Sequence, residues 1–274
     1  MLFTIQRNLP CIVVDGSYYT FYRYFATLRW YQFKEPNVTI DDIHCNDSFI
    51  KSFTKHLHDE MDTICKRWNT IKSNIIFCRD CPRDNIWRHE HIDAYKGTRL
   101  QNTKFNPNIF RNVYGWLNDN NYNIVSIEKL EADDVAAMTK CALRDKGFDN
   151  EIVFITNDND YLQLRDEHTH AFNLHEKDGN LSKRSTGDAM KDLRIKILMG
   201  DKSDNIPPVY PRMGAKTALK LAEMQDDELK VHVLAKGGEA SWHNFERNKK
   251  IIDLSLMCES FQPLFNDRVE VILQ

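Results

Sequence analysis

Carboxylates dominate the chemistry open to this chain, and seven of them stand just after short apolar runs. Asp15 directly follows Cys11-Ile-Val-Val14, and Asp80 stands three residues past Ile75-Ile-Phe77. Glu131-Ala-Asp133-Asp134 comes after Ile124-Val-Ser-Ile127, and Asp158 and Asp160 come after Ile152-Val-Phe-Ile155. A further pair, Asp201 and Asp204, lies in Leu198-Met-Gly-Asp-Lys-Ser-Asp-Asn-Ile206, a turn-like stretch punctuated by Gly and Asn. Like charges gathered in one place either raise one another's pKa or recruit cations. Hard divalent ions such as Mg²⁺ or Mn²⁺ prefer all-oxygen ligands, so a metal site is the simpler solution.

Such a site needs a scaffold that brings the acids together. The four runs are short, nearly continuous and β-branched, which is the pattern of strands buried on both faces. Helical periodicities separate them over Phe49 to Trp68, Ile109 to Leu117 and Val135 to Leu143. The order β-α-β-α-β-α-β predicts a parallel sheet covered by helices, whose strand carboxyl ends share one ligand-binding edge. Removing the nine acids from a net charge of −3 leaves the remainder at +6. An acidic pocket inside a basic surface is the pattern expected of a nuclease.

Several of the acids also have a plain structural reading, Asp15-Gly16-Ser17 as a turn after a strand. Glu131, Asp133 and Asp134 open a helix, where acids are ordinary partners of the macrodipole. Asp158 and Asp160 suit an Asx turn and a helix cap. An EF-hand is excluded, because no Gly follows Asp160 and no Glu closes the loop. Cys78 and Cys81, followed by His89 and His91, lack the longer gap expected between the two ligand pairs of a structural zinc site. The seven cysteines are scattered and read as reduced thiols.

With 274 residues, 42% of them hydrophobic and 28% charged, the chain suits one large folded domain with a smaller appendage. No apolar stretch approaches a membrane span, and Met1 to Pro10 lacks the apolar segment of a secretory signal. The expected location is intracellular, cytoplasmic or nucleoid-associated, and the host cytoplasm for a phage or viral protein.

From Ile12 to about Leu221 the sequence resembles the phage-type 5′ nuclease and flap endonuclease family, which includes the 5′ nuclease domain of bacterial DNA polymerase I. Val14-Asp-Gly-Ser17 with Phe21 and Arg23 is similar to the first acidic motif. Asp80, with Arg88-His-Glu-His91 and Tyr95-Lys-Gly-Thr-Arg99, resembles the second acid and a basic arch above the active site. Glu131-Ala-Asp-Asp134 and Thr156-Asn-Asp-Asn-Asp160 match the central motifs. Gly200-Asp-Lys-Ser-Asp-Asn-Ile-Pro207 and Gly214-Ala-Lys-Thr-Ala218 resemble the last metal motif and a helix-three-turn-helix that grips duplex DNA.

The resemblance implies an α/β fold: a PIN-like parallel sheet flanked by helices, with a helical arch and a small helix-three-turn-helix DNA-binding segment. The nuclease core would span residues 1–185, including the arch at about 81–111. Residues 186–274 would form the DNA-binding segment and a tail packing on the core. Two Mg²⁺ ions, with Mn²⁺ able to substitute, are implied. Asp15, Asp80, Glu131 and Asp133 would serve mainly one ion, and Asp134, Asp158, Asp160, Asp201 and Asp204 mainly the other. Lys96 and Arg99 would meet the scissile phosphate, which without the resemblance would be read as a solvated helix face. Tyr95 would either stack on a base or pack inside the arch. Arg23, Arg83, Arg88, Lys104 and Lys202 are candidate DNA contacts, as is Arg111, with Trp87 and Phe105 interleaved. Gly214, Lys216 and Thr217 stand at a helix start suited to a phosphate, with capping as the alternative role for Thr217.

The implied activity is Mg²⁺-dependent 5′-3′ exonuclease and structure-specific flap endonuclease, removing 5′ flaps or RNA primers in DNA replication or repair. Implied partners are DNA with 5′ flaps, nicks or free 5′ ends, and RNA–DNA hybrids, met by a monomer with no membrane involved. Relatives carry glycines where this chain reads Pro207-Pro-Val-Tyr-Pro-Arg-Met213, so the K⁺ site built from that hairpin's carbonyls is in question here. A PIN-like ribonuclease, a noncatalytic DNA-junction binder and a small-molecule phosphatase are the competing readings. The first lacks a use for Gly200–Asn205 and Gly214–Thr217, the second tolerates loss of carboxylates, and the third needs no Tyr95–Arg99 stretch. No sliding-clamp peptide is recognisable near the C-terminus, and Phe261 to Leu273 reads as packing.

Overall fold

The computed structural model describes residues 1–36, 46–98, 108–175 and 185–274. The first strand, β1 (Leu2–Ile5), is followed by β2 (Cys11–Asp15), whose five residues are all buried, and by helix α1 (Gly16–Lys34). Helix α2 (Asp47–Arg67) buries Phe49, Phe53, Leu57, Met61 and Ile64, an apolar stripe at helical spacing, and Asn46 caps its start. Strand β3 (Ile75–Cys78), helix α3 (Asn108–Asp119) and strand β4 (Asn123–Val125) follow. Next come α4 (Ala132–Asp145), β5 (Ile152–Ile155) and β6 (Thr169–Phe172).

The five strands β4-β3-β2-β5-β6 lie in that spatial order, and every neighbouring pair is parallel. The order reverses between β2 and β5, which is where an open α/β sheet leaves a crevice beyond its carboxyl ends. Asp15 ends β2 at that point, and Thr156 follows β5 beside it. Two apolar layers cover the sheet. One joins Val13, Ile76, Phe154 and Leu198; the other joins Val14, Phe77, Val153 and Phe53.

The C-terminal part comprises α5 (Ala189–Met199), a hairpin, α6 (Ala215–Leu221), α7 (Asp226–Ile252, broken at Gly238), α8 (Leu254–Arg268) and β7 (Glu270–Leu273). Helix α8 lies along α4, and β7 pairs in parallel with β1. Phe265 and Val271 are buried in this contact, and Phe261 meets the Trp87 ring. Among the described residues no helix is long and apolar enough to cross a membrane.

The region read as a helical arch is different in detail. Its described part forms two short 3-10 turns, Arg83–Asn85 and Trp87–Glu90, then tight turns to Thr98. Among the described residues of this region, the α-helical part is the start of α3 at Asn108. Arg99, Lys104 and Phe105 lie outside the described residues.

Candidate functional site

The acids are set in place by the backbone ends they follow. Asp15 caps α1: its Oδ1 accepts from Tyr18 N at 2.9 Å, while Oδ2 accepts from Thr156 Oγ1 at 3.0 Å across the β2–β5 crevice. Gly16 must be glycine, since a Cβ there would lie 2.2 Å from the Tyr114 hydroxyl and 2.6 Å from the Cys78 carbonyl. Asp80 accepts from Ala132 N at 2.8 Å and from the Ser17 hydroxyl, joining the second strand end to the start of α4. Burial raises the Asp15 carboxyl to about 7, and the neighbouring Asp80 and Asp133 charges push the same way. Those neighbours place Asp15, Asp80 and Asp133 in one electrostatic cluster.

Glu131 is the N-cap of α4, in a capping box with Asp134. Its Oε2 accepts from the Arg88 guanidinium and the Tyr95 hydroxyl, each at 2.9 Å, and its Oε1 accepts from Lys96 Nζ. Tyr95 also donates to Asp204 at 3.3 Å, and Lys96 Nζ stands 3.8 Å from Asp204 Oδ2. The loop carrying these two residues is pinned to the Asp201–Ile206 turn. Lys96 N donates to Asp204 O at 3.0 Å, Asn205 Nδ2 donates to Ala94 O at 2.7 Å, and Thr98 donates to Asn205 Oδ1 at 2.6 Å. Asn205 adopts φ 60°, a left-handed conformation that Asn tolerates.

The remaining acids gather around an ammonium group. Asp158 caps the short turn Asn159–Leu164 by accepting from Asp160 N at 3.0 Å. Lys196 of α5 donates to Asp160 and stands 3.0 Å from Asp201 Oδ2. Burial alone would raise Asp201, but Lys196 and the Ser203 donors outweigh it and hold its carboxyl down at about 2. Gly200 precedes this turn at φ +65°, where a Cβ would meet the Ile206 carbonyl at 2.3 Å.

Four residues read as substrate contacts or metal ligands have structural partners. Arg88 is buried, with its guanidinium forked onto Asp134 at 2.6 and 2.7 Å and its Nε donating to Ile251 O at 2.9 Å, so it cannot face DNA. Asp134 accepts on one oxygen from Trp87 Nε1, Arg88 and Glu131 N and on the other from Arg88. Those donors make Asp134 the ionised partner of Arg88, with one of its oxygens still within reach of a cation shared with Glu131 and Asp133. Tyr95 is buried, so packing and acid-holding replace the base-stacking role. Arg23 likewise pairs with Glu60 at 2.9 Å on the α1–α2 face and is not free for DNA.

Other candidates remain at the surface. Arg83 donates to the Lys96 carbonyl, and Lys202 is exposed beside Asp201. Gly214, Lys216 and Thr217 are exposed at the start of α6, whose N-cap is Gly214, so Thr217 does not cap it. The hairpin carbonyls of Pro207 and Val209 accept from the Asn248 and Asn244 side-chain amides. Sequence reasoning missed Lys196, Thr156, Ser17 and Asn205. Lys196 carried a faint signal, a lone cation in the apolar run Ile195-Lys-Ile-Leu-Met199, five residues before Asp201.

One oxygen each from Glu131, Asp133 and Asp134 lie within 4.8 Å of one another. The wider donor set is all carboxylate oxygen, and two internal ammonium groups already offset its charge. These residues fit a hard divalent cation.

The chain matches the family described as "5′-3′ exonuclease, N-terminal resolvase-like domain" over residues 10–192. It is 29% identical over 220 residues to a 5′-3′ exonuclease of Buchnera aphidicola subsp. Schizaphis graminum, covering 78% of this chain and 70% of that one. It is 27% identical over 227 residues to DNA polymerase I of Streptococcus pneumoniae serotype 4, spanning 77% of this chain but 23% of the polymerase. In fold it is similar to the T5 5′-exonuclease with divalent zinc ions bound, at a TM-score of 0.64 and 17% identity, covering 94% of this chain and 96% of that one. It is also similar to the bacteriophage T5 flap endonuclease in a pseudo-enzyme–product complex with DNA and metal ions, at a TM-score of 0.63 and 18% identity, covering 94% and 97%. The match over residues 10–192, which hold the strand ends that carry the acids, makes this chain a member of the 5′-3′ exonuclease family with the N-terminal resolvase-like domain.

Proposed function

We propose that this chain is a divalent-metal-dependent 5′-3′ exonuclease and flap endonuclease that hydrolyses phosphodiester bonds of DNA. The observation that carries the reading is the joining of Glu131, Lys96, Tyr95 and Asp204 into one unit. An acidic cluster alone binds cations, but a cluster with a lysine fixed against it has a place for a phosphate.

Asp15, Asp80, Glu131, Asp133 and Asp204 would hold one ion, and Asp158, Asp160 and Asp201 a second, with Mg²⁺ the resident metal and Mn²⁺ a substitute. The chemistry such ions supply is a lower pKa for an attacking water and neutralised charge at the phosphate and leaving oxygen. Lys96, held by its backbone on Asp204 O, would exchange its Glu131 contact for a non-bridging phosphate oxygen. Tyr95 and Arg88 keep the Glu131 carboxylate oriented while that exchange occurs. Thr156 and Tyr18 N fix the Asp15 oxygens, so the acids are arranged before substrate arrives.

The substrates are DNA with 5′ flaps, nicks or free 5′ ends, including RNA primers paired to DNA, and the products carry 5′-phosphate and 3′-hydroxyl. The setting is DNA replication and repair, by a monomer in the cytoplasm or nucleoid. End-labelled 5′-flap, nicked duplex and single-stranded RNA, each with Mg²⁺ and with EDTA, test this. Metal-dependent cutting near the flap junction is the expected result; intact flaps beside degraded RNA would make the chain a ribonuclease instead.

A further inference from the structure

Most cations near the acidic cluster are paired with carboxylates: Arg88 with Glu131 and Asp134, Lys96 with Glu131, and Lys196 with Asp160 and Asp201. One group is not. A pocket of about 540 Å³ opens beside the Asp201–Ile206 turn, with His91, Lys202 and Arg247 around it and no carboxylate among its lining residues. Among the described residues Lys202 makes no ion pair, and the Arg247 guanidinium bonds the neutral Asn248 amide, at 2.9 and 3.3 Å. Burial lowers the Arg247 pKa with no anion to offset it. Partly desolvated cations without a counter-charge are costly, and an anion removes that cost.

The pocket is also built rather than incidental. Asn248 Nδ2 donates to Pro207 O at 2.9 Å and Ile197 O at 3.0 Å, tying α7 to the hairpin. Arg88 Nε donates to Ile251 O, tying the turn that carries His91 to the end of α7. Ile206 and Pro208 form part of the lining. The segments carrying His91 and Arg247 are therefore tied to one another and to the hairpin before any ligand arrives, which reduces the entropy lost on binding.

We propose that this pocket is a subsite for a phosphodiester of the bound nucleic-acid strand, held by Lys202 and Arg247, with His91 at its side. Lys202 stands next to Asp201 in the chain, so the phosphate seated here is close to the acidic cluster, and this contact sets the strand's register there. The inference rests on the nuclease reading. The same cations could receive a free phosphate monoester, and the experiment separates the two.

Lys202→Ala, Arg247→Gln and the double variant are compared with the parent and with Lys55→Ala, a control on the far exposed α2 pair Lys55–Asp59. Gln at 247 keeps an amide for Asn248, and unchanged melting temperature verifies folding. Binding of a labelled 5′-flap duplex is measured by anisotropy across salt, with Ca²⁺ in place of Mg²⁺ to prevent cleavage. Each single variant is expected to flatten the slope of log affinity against log salt, and the double to flatten it by about 0.9, the value for one phosphate. Between about 50 and about 200 mM salt, the double variant then loses about 3.5-fold less affinity than the parent. Folded variants with the parent's slope overturn the proposal. A deoxynucleotide 5′-monophosphate that binds the parent, is lost in the variants and leaves the slopes alone also overturns it, in favour of a monoester site. A parent protein that neither binds nor cuts DNA would refute the nuclease reading itself, and the subsite with it.

Discussion

Arg88→Met removes the charge that Asp134 was folded around, and its effect can be worked out from the geometry. Arg88 makes four hydrogen bonds from a buried position: two to Asp134, one to Glu131 and one to Ile251 O. Methionine fills much of the same volume but leaves the fully buried Asp134 carboxylate with only Trp87 Nε1 and Glu131 N as donors. Burial already raises the Asp134 carboxyl, and Arg88 is the main group opposing it. Breaking a buried pair on one side costs about 3–5 kcal/mol, most of it the uncompensated charge left behind. At about 2–4 °C per kcal/mol for a domain of this size, the melting temperature should fall by about 10 °C. Arg88→Met with Asp134→Leu removes both charges together. It should recover all but about 1 kcal/mol, the worth of the helix cap Asp134 gives to Glu131 N. Calorimetry at neutral pH on the two single variants and the double gives the cycle. A single variant melting within 2 °C (about 1 kcal/mol) of the parent, or a double no more stable than the single, would refute the argument that this pair is held together by mutual need.

Four further outcomes follow from the site. Asp158→Asn and Asp201→Asn should slow single-turnover cleavage of a 5′-flap at least about 100-fold while largely sparing DNA binding, because Asn keeps the cap acceptor and loses the ligand charge. Comparable parent and variant rates would remove those residues from the metal set. Lys96→Ala should slow the same single-turnover step far more than it weakens duplex binding; a pure affinity loss would reduce Lys96 to a surface charge. Lys196→Ala leaves Asp160 and Asp201 without their shared cation, so added Mn²⁺ should raise its melting temperature more than the parent's, and equal shifts would mean that Lys196 does not compete with metal. Gly200→Ala should lower stability by about 1–3 kcal/mol through strain at positive φ and the clash with Ile206 O, measured by urea unfolding. A neutral result would show that the turn relaxes.

Much of this architecture was legible because buried parallel strands are nearly continuous apolar runs. Cys11–Val14, Ile75–Phe77 and Ile152–Ile155 needed no other signal. Thr169–Phe172 escaped notice because an edge strand of four residues, with Thr and His at its first two positions, has too little apolar pattern to stand out. The β1–β7 pairing was equally hidden, since it joins segments at opposite ends of the sequence. At the site, the acids could be placed but their division of labour could not. Asp158 looked like a cap or a ligand, and the structure shows it capping the Asn159–Leu164 turn just as Asp15 caps α1. Arg88 and Tyr95 looked like substrate contacts because burial of a charged or phenolic group depends on partners elsewhere: Asp134, Ile251 and Asp204 for these two. Lys196 was invisible for the same reason, its acids lying on two other segments.

The hydrogen bond from Tyr95 to Asp204 spans 109 residues of sequence, and Asp15 meets Thr156 across 141. Contacts of such long range close late in folding, since each must overcome a large loop entropy before it is rewarded. A chain emerging from the ribosome could complete β2, β3 and the caps around Asp15 and Asp80 well before the Asp201–Ile206 turn exists. Until that turn arrives, Lys96 has no backbone anchor on Asp204 and Glu131 lacks its full set of partners. The site that would cut nucleic acid is thereby complete only once the chain is almost wholly made.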